Sequence, residues 1–307
     1  MILANGGVYP ALWTPTDAGG ALLAEALADQ VRFLRGAGAD GAMVLGSTGE
    51  FVHLEMGVRR EVLTRVAEAA PGWPIIANCS DVSPLRVAAL GRHSRAVGAA
   101  AVALLPPWFF ESAREDVVEF LVRGAEASGL PLVLYNFPER TGHRLELGMV
   151  AAVAERVRVV AVKQSGAPFG YHRELAELGR EKGFVVITGA DTRIADALAH
   201  GANGVVSGLA NAVPEWVVSV YRAAKCGDAS KAATSQGRLA SLAEAIGGLA
   251  FPLDVAAAME ARGRVTGAWK AVVSPSTAER YRRAVERCRA ILGEGAGEAC
   301  QRGGEQV

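Results

Sequence analysis

The residue best suited to covalent chemistry is Lys163, which ends an apolar run and precedes Gln164-Ser165-Gly166. The 32 basic residues of the chain include only five lysines, so a lysine inside an apolar strand needs an explanation. Desolvation of an ammonium group favours the neutral amine, which can attack a ketone and form a Schiff base. The alternative is a buried lysine that pairs with Glu50 or Asp191.

The segment Gly46-Ser47-Thr48-Gly49-Glu50 follows another apolar run. It offers two hydroxyls and glycine-flanked backbone N–H groups, a combination that suits a bound carboxylate or phosphate. It is not a P-loop, because the Gly-Lys-Ser/Thr signature is missing. The alternative is an ordinary turn between a strand and a helix, while a phosphate-binding barrel enzyme would rest on this segment alone.

Tyr135 and Arg140 lie in a third such segment, Tyr135 to Gly142. The phenol of Tyr135 could move a proton to and from a carbonyl oxygen, or it could be a buried core hydroxyl. The guanidinium of Arg140 could bind a carboxylate through two hydrogen bonds, or it could be a solvated loop arginine. The five histidines form no HxH or HExxH pattern, so no metal site is predicted.

These segments all follow short apolar runs that alternate with longer stretches of helical period. Such continuous apolar runs are typical of parallel strands that are covered on both faces. The eight predicted strands are Val8 to Trp13, Ala42 to Leu45, Ile75 to Cys79, Ala101 to Leu105, Leu132 to Phe137, Val159 to Lys163, Val185 to Thr188 and Val205 to Ser207.

Eight strand–helix units within one chain predict an α/β fold, a (β/α)₈ TIM barrel with a C-terminal helical extension. A doubly wound open sheet is the alternative, but no GxGxxG follows the first strand. The predicted organisation is a barrel over residues 1–226 that contains the active site, a helical extension over 227–292 and a disordered tail over 293–307. In such a barrel the active site lies at the carboxyl ends of the strands, where the polar segments meet.

Composition restricts the partners. The 32 basic and 32 acidic residues give a net charge of +0, so neither a nucleic-acid partner nor an acidic surface is expected. No apolar stretch reaches the length of a membrane span, and the first residues do not resemble a signal peptide. Cys79, Cys226, Cys288 and Cys300 have no CxxC spacing and are interpreted as reduced thiols of a cytoplasmic protein.

These residues, in this order, resemble the dihydrodipicolinate synthase/N-acetylneuraminate lyase family. The resemblance covers Gly7 to about Leu292 and depends on Gly7 to Pro15, Gly46 to Glu50, Tyr135 to Gly142 and the strand of Lys163. It implies a (β/α)₈ barrel, a homotetramer and class I aldolase chemistry on pyruvate or another 2-keto acid. It also implies that neither a metal nor an organic cofactor is needed.

The resemblance assigns roles to single residues. Lys163 would form the imine with the ketone, Tyr135 would be the general acid and base, and Ser47 would connect Tyr135 to solvent or substrate. Thr48 and its loop would hold the pyruvyl carboxylate, and Arg140 would bind the carboxylate of an aldehyde. The full set of predicted substrate-binding residues is Gly46, Thr48, Gly49, Arg140, Gly189 and Val206.

Different segments of the sequence resemble different branches of the family. Tyr135 to Gly142 is similar to the synthase, whereas Gly46 to Phe51 and Lys163-Gln164-Ser165 are more similar to the neuraminate lyase and keto-deoxy sugar acid aldolase branches. The family usually has a tyrosine pair near Trp108, one of which reaches a neighbouring subunit and completes a proton relay. An indole at that position cannot relay a proton.

The sequence therefore predicts a pyruvate-dependent Schiff-base lyase or aldolase, similar to dihydrodipicolinate synthase and with an acidic aldehyde as partner. A 2-keto-3-deoxy sugar acid or N-acetylneuraminate-type aldolase, or a dehydratase, is the alternative within the family. A non-catalytic sensor of 2-keto acids is the alternative from another class, motivated by Trp108.

Overall fold

Eight parallel strands with helices between them form a nearly closed barrel, which confirms the predicted TIM-barrel fold. The computed structural model describes Leu3 and residues 6–166 and 168–301, with side chains as far as Gly293. The strands are β1 (Gly7–Pro10), β2 (Ala42–Val44), β3 (Ile75–Asn78), β4 (Ala101–Leu104), β5 (Leu132–Asn136), β6 (Val159–Gln164), β7 (Val185–Thr188) and β8 (Gly204–Ser207).

Helices cover the outside of the barrel and continue beyond it. The helices are α1 (Ala24–Gly36), α2 (Met56–Ala69), α3 (Pro84–Ala96), α4 (Arg114–Ser128), α5 (Pro138–Thr141), α6 (Leu147–Ala154), α7 (Tyr171–Lys182), α8 (Ile194–Ala199), α9 (Pro214–Lys225), α10 (Ala229–Ala245), α11 (Leu253–Ala261) and α12 (Pro275–Gln301). Short 3₁₀ segments lie at Phe51–His53, Asp191–Arg193 and Leu209–Asn211.

The strands are hydrogen-bonded in the order β1-β8-β7-β6-β5-β4-β3-β2. Beyond β1, a bridge between Ala11 and Met43 brings the two ends of the sheet together, and the N–H of Leu12 donates to the carbonyl of Met43 at 2.9 Å. The first predicted run extends to Trp13, but β1 ends at Pro10 because the chain there leaves β8 and turns towards β2.

The helical extension packs against one side of the barrel. Its helices share a second apolar core with α9 and with the barrel residues Trp13 and Val205. The last helix continues past Leu292 to Gln301, so its backbone enters the segment predicted to be a disordered tail. The end of that predicted tail, residues 302–307, lies outside the described residues, and the three-part division of the chain stays a prediction.

Candidate active site

Tyr135 and Lys163 lie side by side on neighbouring strands near the carboxyl ends of β5 and β6. They are direct partners in the register of the two strands. In-register residues of parallel strands point to the same face, about 4.8 Å apart. The Nζ atom of Lys163 lies 3.9 Å from the centre of the Tyr135 ring, and the two residues are 4% and 1% exposed. An amine and a phenol are therefore held together, shielded from bulk water.

Lys163 is not held by an ion pair in the part of the chain that the structure describes. Glu50, one of its two candidate partners, instead pairs with Lys270 at 2.8 Å. Asp191, the other, has no oxygen within 4.0 Å of the Lys163 nitrogen, although it is near enough for their charges to interact. The stem of the lysine passes Gly189, where a Cβ would lie 2.1 Å from the Oγ of Ser165 and 3.3 Å from the Cε of Lys163. A glycine after β7 thus leaves room chiefly for Ser165 and also for the lysine.

The loop after β2 has an uncommon backbone conformation at both of its ends. It is bracketed by two non-glycine residues in the left-handed region, Leu45 at φ 62° and Glu50 at φ 54°. Such backbone conformations are uncommon and cluster at functional sites. The N–H groups of Thr48 and Gly49 have no acceptor among the described residues. They are therefore available to a bound carboxylate.

Ser47 connects this loop to the tyrosine, because its Oγ lies 3.1 Å from the Tyr135 hydroxyl. Trp108 lies on the same side of the barrel and packs edge-on against Phe51, with ring centres 5.8 Å apart. Ser47 and Trp108 both line a cavity of about 270 Å³. Within the described chain, the hydroxyl next to Tyr135 is thus that of Ser47, and the indole adds none.

A larger cavity of about 400 Å³ opens over Lys163 and Tyr135. Six of the predicted site residues line it: Thr48, Tyr135, Arg140, Lys163, Gly189 and Val206. Ser47 lines the smaller neighbouring cavity instead, while Gly46 and Gly49 line neither. The two glycines act at most through the backbone of their loop. A Cβ on Gly49 would lie 2.8 Å from the carbonyl oxygen of Leu12.

Arg140 lies at the exposed mouth and lines both cavities. Its guanidinium lies 5.6 Å from the ring centre of Phe137 and 5.5 Å from that of Phe251. No carboxylate of the described residues comes within ion-pair distance of it. The fork is therefore held between two rings with its hydrogen-bonding capacity uncommitted.

One wall of the larger cavity comes from the helical extension, which the sequence analysis did not include in the site. Phe251, Asp254 and Val255 are among the residues of that wall. They belong to the start of α11 and the turn before it, so their positions depend on how the extension packs. No local pattern in the sequence marks them.

Two carboxylates face this cavity, Asp191 after β7 and Asp254 from the extension. The N–H groups of Gly208 and Leu209 donate to Oδ2 of Asp191 at 3.0 Å each, and the nearby Ser207 hydroxyl also stabilises its charged form. Its Oδ1 is buried and has no donor at hydrogen-bond geometry among the described residues. Burial raises the pKa of Asp191, and burial raises the pKa of Asp254 to about 6. Ionising either carboxyl group in the absence of a ligand therefore requires more free energy than it would in water.

Other types of site are not supported by the side chains present. The described residues contain no group of three His, Cys, Asp or Glu side chains that could hold a metal ion. Where the chain is described, its helices are too short or too polar to cross a membrane. Cys79, Cys226 and Cys288 are free thiols, and Cys300 lies beyond the described side chains.

Comparison with known proteins places this geometry in a family. The sequence profile of the dihydrodipicolinate synthetase family matches residues 4–290. A 4-hydroxy-tetrahydrodipicolinate synthase of Haloarcula marismortui is 31% identical over 257 residues, 84% of each chain.

Solved structures agree with this placement. The dihydrodipicolinate synthase of Bacteroides thetaiotaomicron superposes with a TM-score of 0.84 at 25% identity, over 93% of this chain and 98% of the other. A sialic acid aldolase of Ruminococcus gnavus shares the fold, with a TM-score of 0.87 at 20% identity over 96% and 99% of the two chains. The chain therefore belongs to the dihydrodipicolinate synthetase family and is a lyase of the class I aldolase type.

Proposed function

We propose that this protein is a pyruvate-dependent Schiff-base lyase that makes or cleaves a C–C bond next to a 2-keto acid. The observation that supports this most directly is the pairing of Lys163 with Tyr135 beneath a cavity bordered by Thr48. An amine, a proton carrier and a carboxylate-binding loop are the three groups that such a reaction needs. The protonated imine on the lysine would be the electron sink, so the reaction would need neither a metal nor an organic cofactor.

Imine formation would start with the neutral amine of Lys163, which attacks the ketone carbon of pyruvate. The nitrogen loses a proton and the ketone oxygen gains one through Tyr135, which gives a carbinolamine. A second proton passed from nitrogen to oxygen by the same route lets the hydroxyl leave as water, and the nitrogen forms a double bond to carbon. The carboxylate of pyruvate would bind the hydroxyl of Thr48 and the free N–H groups of Thr48 and Gly49. Ser47, 3.1 Å from the Tyr135 hydroxyl, would return the proton to the phenol.

The C–C bond would form in the next step. The imine nitrogen gains a proton and the methyl carbon loses one to Tyr135, so the imine becomes an enamine, and this carbon attacks the aldehyde carbon of the second substrate. The aldehyde oxygen gains a proton and becomes a hydroxyl. Water then hydrolyses the new imine and releases the lysine. Cleavage is the same sequence in reverse.

An acidic aldehyde is the second substrate that Arg140 supports, as in a dihydrodipicolinate synthase-like reaction. The guanidinium lies at the cavity mouth without an ion-pair partner in the described chain. Its planar fork can bind a carboxylate through two hydrogen bonds. Trp108 supplies no hydroxyl to a proton relay, so this reaction would rely on Ser47 and Tyr135 alone.

A keto-deoxy sugar acid or N-acetylneuraminate-type aldolase, or a dehydratase, is the second candidate. It is favoured by Asp191, whose buried Oδ1 has no partner among the described residues. An unpartnered buried carboxylate oxygen is suited to accept a hydrogen bond from a substrate hydroxyl. The two candidates share the chemistry of the imine and differ only in the second substrate.

The test of the proposed function is reductive trapping. Borohydride reduction in the presence of pyruvate should attach the reduced pyruvyl group to Lys163, as located by mass spectrometry of peptides. Lys163→Ala should abolish the label, while Lys182→Ala, a matched change at a surface lysine, should leave it unchanged. Labelling elsewhere, or no labelling, would overturn the proposal. A trapped imine without turnover of any aldehyde would instead favour the 2-keto acid sensor.

A homotetramer in the cytoplasm belongs to the same proposal and rests on the family likeness. Phe109 and Phe110, which follow β4, are 86% and 75% exposed in the single chain. Two neighbouring exposed phenylalanines are typical of a surface that a second chain covers. Light scattering coupled to size-exclusion chromatography measures the mass directly, and a monomeric mass would contradict the assembly.

A further inference from the structure

We propose that Asp254, contributed by the helical extension, is a specificity-determining residue that accepts a hydrogen bond from a hydroxyl or ammonium group of the second substrate. The assignment rests on the proposed function, because it concerns the aldehyde that meets the pyruvyl enamine. It adds a requirement to that function: the preferred aldehyde carries a hydrogen-bond donor.

The position of Asp254 supports this assignment. It lines the same cavity as Lys163 and Arg140, although it lies 91 positions or more along the chain from either. Burial increases from the mouth to the floor of the cavity: Arg140 is exposed, Asp254 is partly buried and Lys163 is buried. A substrate that occupies the cavity above the lysine is therefore bordered by the carboxylate of Asp254.

The hydrogen bonds of Asp254 leave it available to a ligand. Its carboxylate accepts only from backbone N–H groups of its own turn, such as that of Val255 at 2.7 Å. No side chain of the described residues donates to it, and Arg140 interacts with it only through the longer-range attraction of charges. A carboxylate accepts at about four positions, so capacity remains for a substrate donor.

The simpler interpretation of Asp254 is an acidic residue in the first turn of α11, where it would stabilise the helix. That role would not need the carboxylate to face the cavity. It also would not place it beside Asp191, whose like charge disfavours the ionised form of Asp254. Two neighbouring carboxylates on a cavity wall are better satisfied by a ligand that supplies donors to them.

Four aldehydes separate the effect of a carboxylate on the substrate from the effect of a hydrogen-bond donor on the substrate. Aspartate semialdehyde has a carboxylate and an ammonium group, and succinate semialdehyde has only the carboxylate. Glyceraldehyde has hydroxyls, and propanal has neither group. Each is used with pyruvate and the full-length enzyme, after trapping of the imine has shown that pyruvate binds covalently. The wild-type protein should prefer a donor-bearing aldehyde to its donor-free counterpart.

Asp254→Ala should lower kcat/KM for the preferred donor-bearing aldehyde by about tenfold to a hundredfold, and by less than about threefold for the donor-free one. Asp254→Asn keeps one acceptor oxygen without the charge, so it should retain hydroxyl-bearing aldehydes better than an ammonium-bearing one. Glu244→Gln, an exposed carboxylate of the same extension, is the matched control and should change neither value.

Equal losses of kcat/KM for aldehydes with and without donors would overturn the assignment. It would also be overturned if Asp254→Ala kept the wild-type preference for donor-bearing aldehydes. Lack of turnover of all four aldehydes by a wild-type protein that still forms the imine would also overturn it. In the first two cases the proposed lyase function survives, because turnover and trapping at Lys163 are measured separately. An imine without turnover of any of the four aldehydes would instead favour the 2-keto acid sensor. Absence of the imine would be a failure of the proposed function itself.

Discussion

At the scale of single residues, the central feature is the contact between the Lys163 amine and the Tyr135 ring, with Ser47 beside the phenol. The nitrogen lies 3.9 Å from the ring centre, and the two hydroxyls lie 3.1 Å apart. A proton can thus pass between Ser47 and Tyr135 without a large movement of either side chain. The strand register fixes Lys163 beside Tyr135, whereas Ser47 comes from the loop after β2.

Tyr135→Phe removes the hydroxyl and keeps the ring that packs beside the lysine. We expect turnover to fall by about 10²–10⁴, the usual contribution of a positioned acid or base. Steady-state kinetics with pyruvate and an accepted aldehyde measures this fall. Tyr281→Phe removes a hydroxyl far along the chain, in the extension, and should retain near-normal turnover. Near-normal turnover in Tyr135→Phe would mean that another group moves the proton.

Arg140→Ala separates the two carboxylate-binding roles. If the second substrate is acidic, kcat/KM for it should fall by roughly tenfold to a hundredfold, because a hydrogen bond to a charged group contributes about 1.5–3 kcal/mol. Imine formation with pyruvate should hardly change, since Thr48 and its loop would hold that carboxylate. Stopped-flow trapping and steady-state rates report the two steps separately.

Arg144→Ala is a suitable comparison for Arg140→Ala, because Arg144 stacks on Tyr171 and does not line either cavity. It should leave both steps intact. Equal losses of pyruvate binding and of aldehyde use in Arg140→Ala would contradict the division of roles between the arginine and the loop after β2.

At the scale of elements, a buried ion pair joins the loop after β2 to the helical extension. Glu50 and Lys270 lie 2.8 Å apart with side chains that are each 6% exposed. The Nζ atom of Lys270 also lies 5.0 Å from the ring centre of Trp13. Glu50 has a left-handed backbone next to the free N–H groups of the loop. The pair therefore helps to hold the loop in the conformation that presents these groups.

Lys270→Met should lower the free energy of unfolding by about 3–5 kcal/mol, because it leaves the Glu50 carboxylate buried without its partner. Urea denaturation measures the change. Lys182→Met is the control: Lys182 pairs with the exposed Glu155 on the surface, and such pairs contribute about 0–1 kcal/mol. Similar, small losses in both variants would show that the buried pair does not hold the loop.

The same pair illustrates what the sequence could and could not predict. The apolar runs were sufficient to predict all eight strands, and the polar residues at and after their ends include Tyr135 and Ser47, which lie near Lys163 and beside each other. The partner of Glu50 was beyond prediction, since Lys270 lies 220 positions away and no local pattern links the two. The hypothesis that Glu50 pairs with Lys163 was wrong for this reason.

At the scale of the whole molecule, the barrel and the extension build the cavity together. The barrel provides Lys163, Tyr135 and the loop after β2, whereas the extension provides Phe251 and Asp254. The sequence indicated that the extension is helical but not which turn faces the barrel. That depends on packing among α9 to α12, which helical periodicity alone does not determine.

The placement of Asp254 should make the stability of the protein depend on pH. The pKa of Asp254 is raised from an ordinary value of 3.8 to about 6. Burial is the main cause and the charge of Asp191 adds to it, while nearby N–H groups and Arg140 oppose the rise. Between these two values the folded chain binds more protons than the unfolded chain, so the free energy of unfolding falls as pH rises. The destabilisation is complete above about pH 6 and absent well below pH 3.8.

Asp254→Asn removes this titration. The change that it makes to the free energy of unfolding should be more stabilising at pH 8 than at pH 4, by about 1–3 kcal/mol. Urea denaturation of both proteins at the two pH values measures the difference. Glu244→Gln, which removes an exposed carboxylate of the same extension, is the control for the loss of one negative charge. An identical effect of Asp254→Asn at both pH values would show that the carboxylate is not destabilised by burial. A gain at pH 8, combined with loss of donor-bearing aldehydes as substrates, would mean that this carboxylate is retained for binding at the expense of stability.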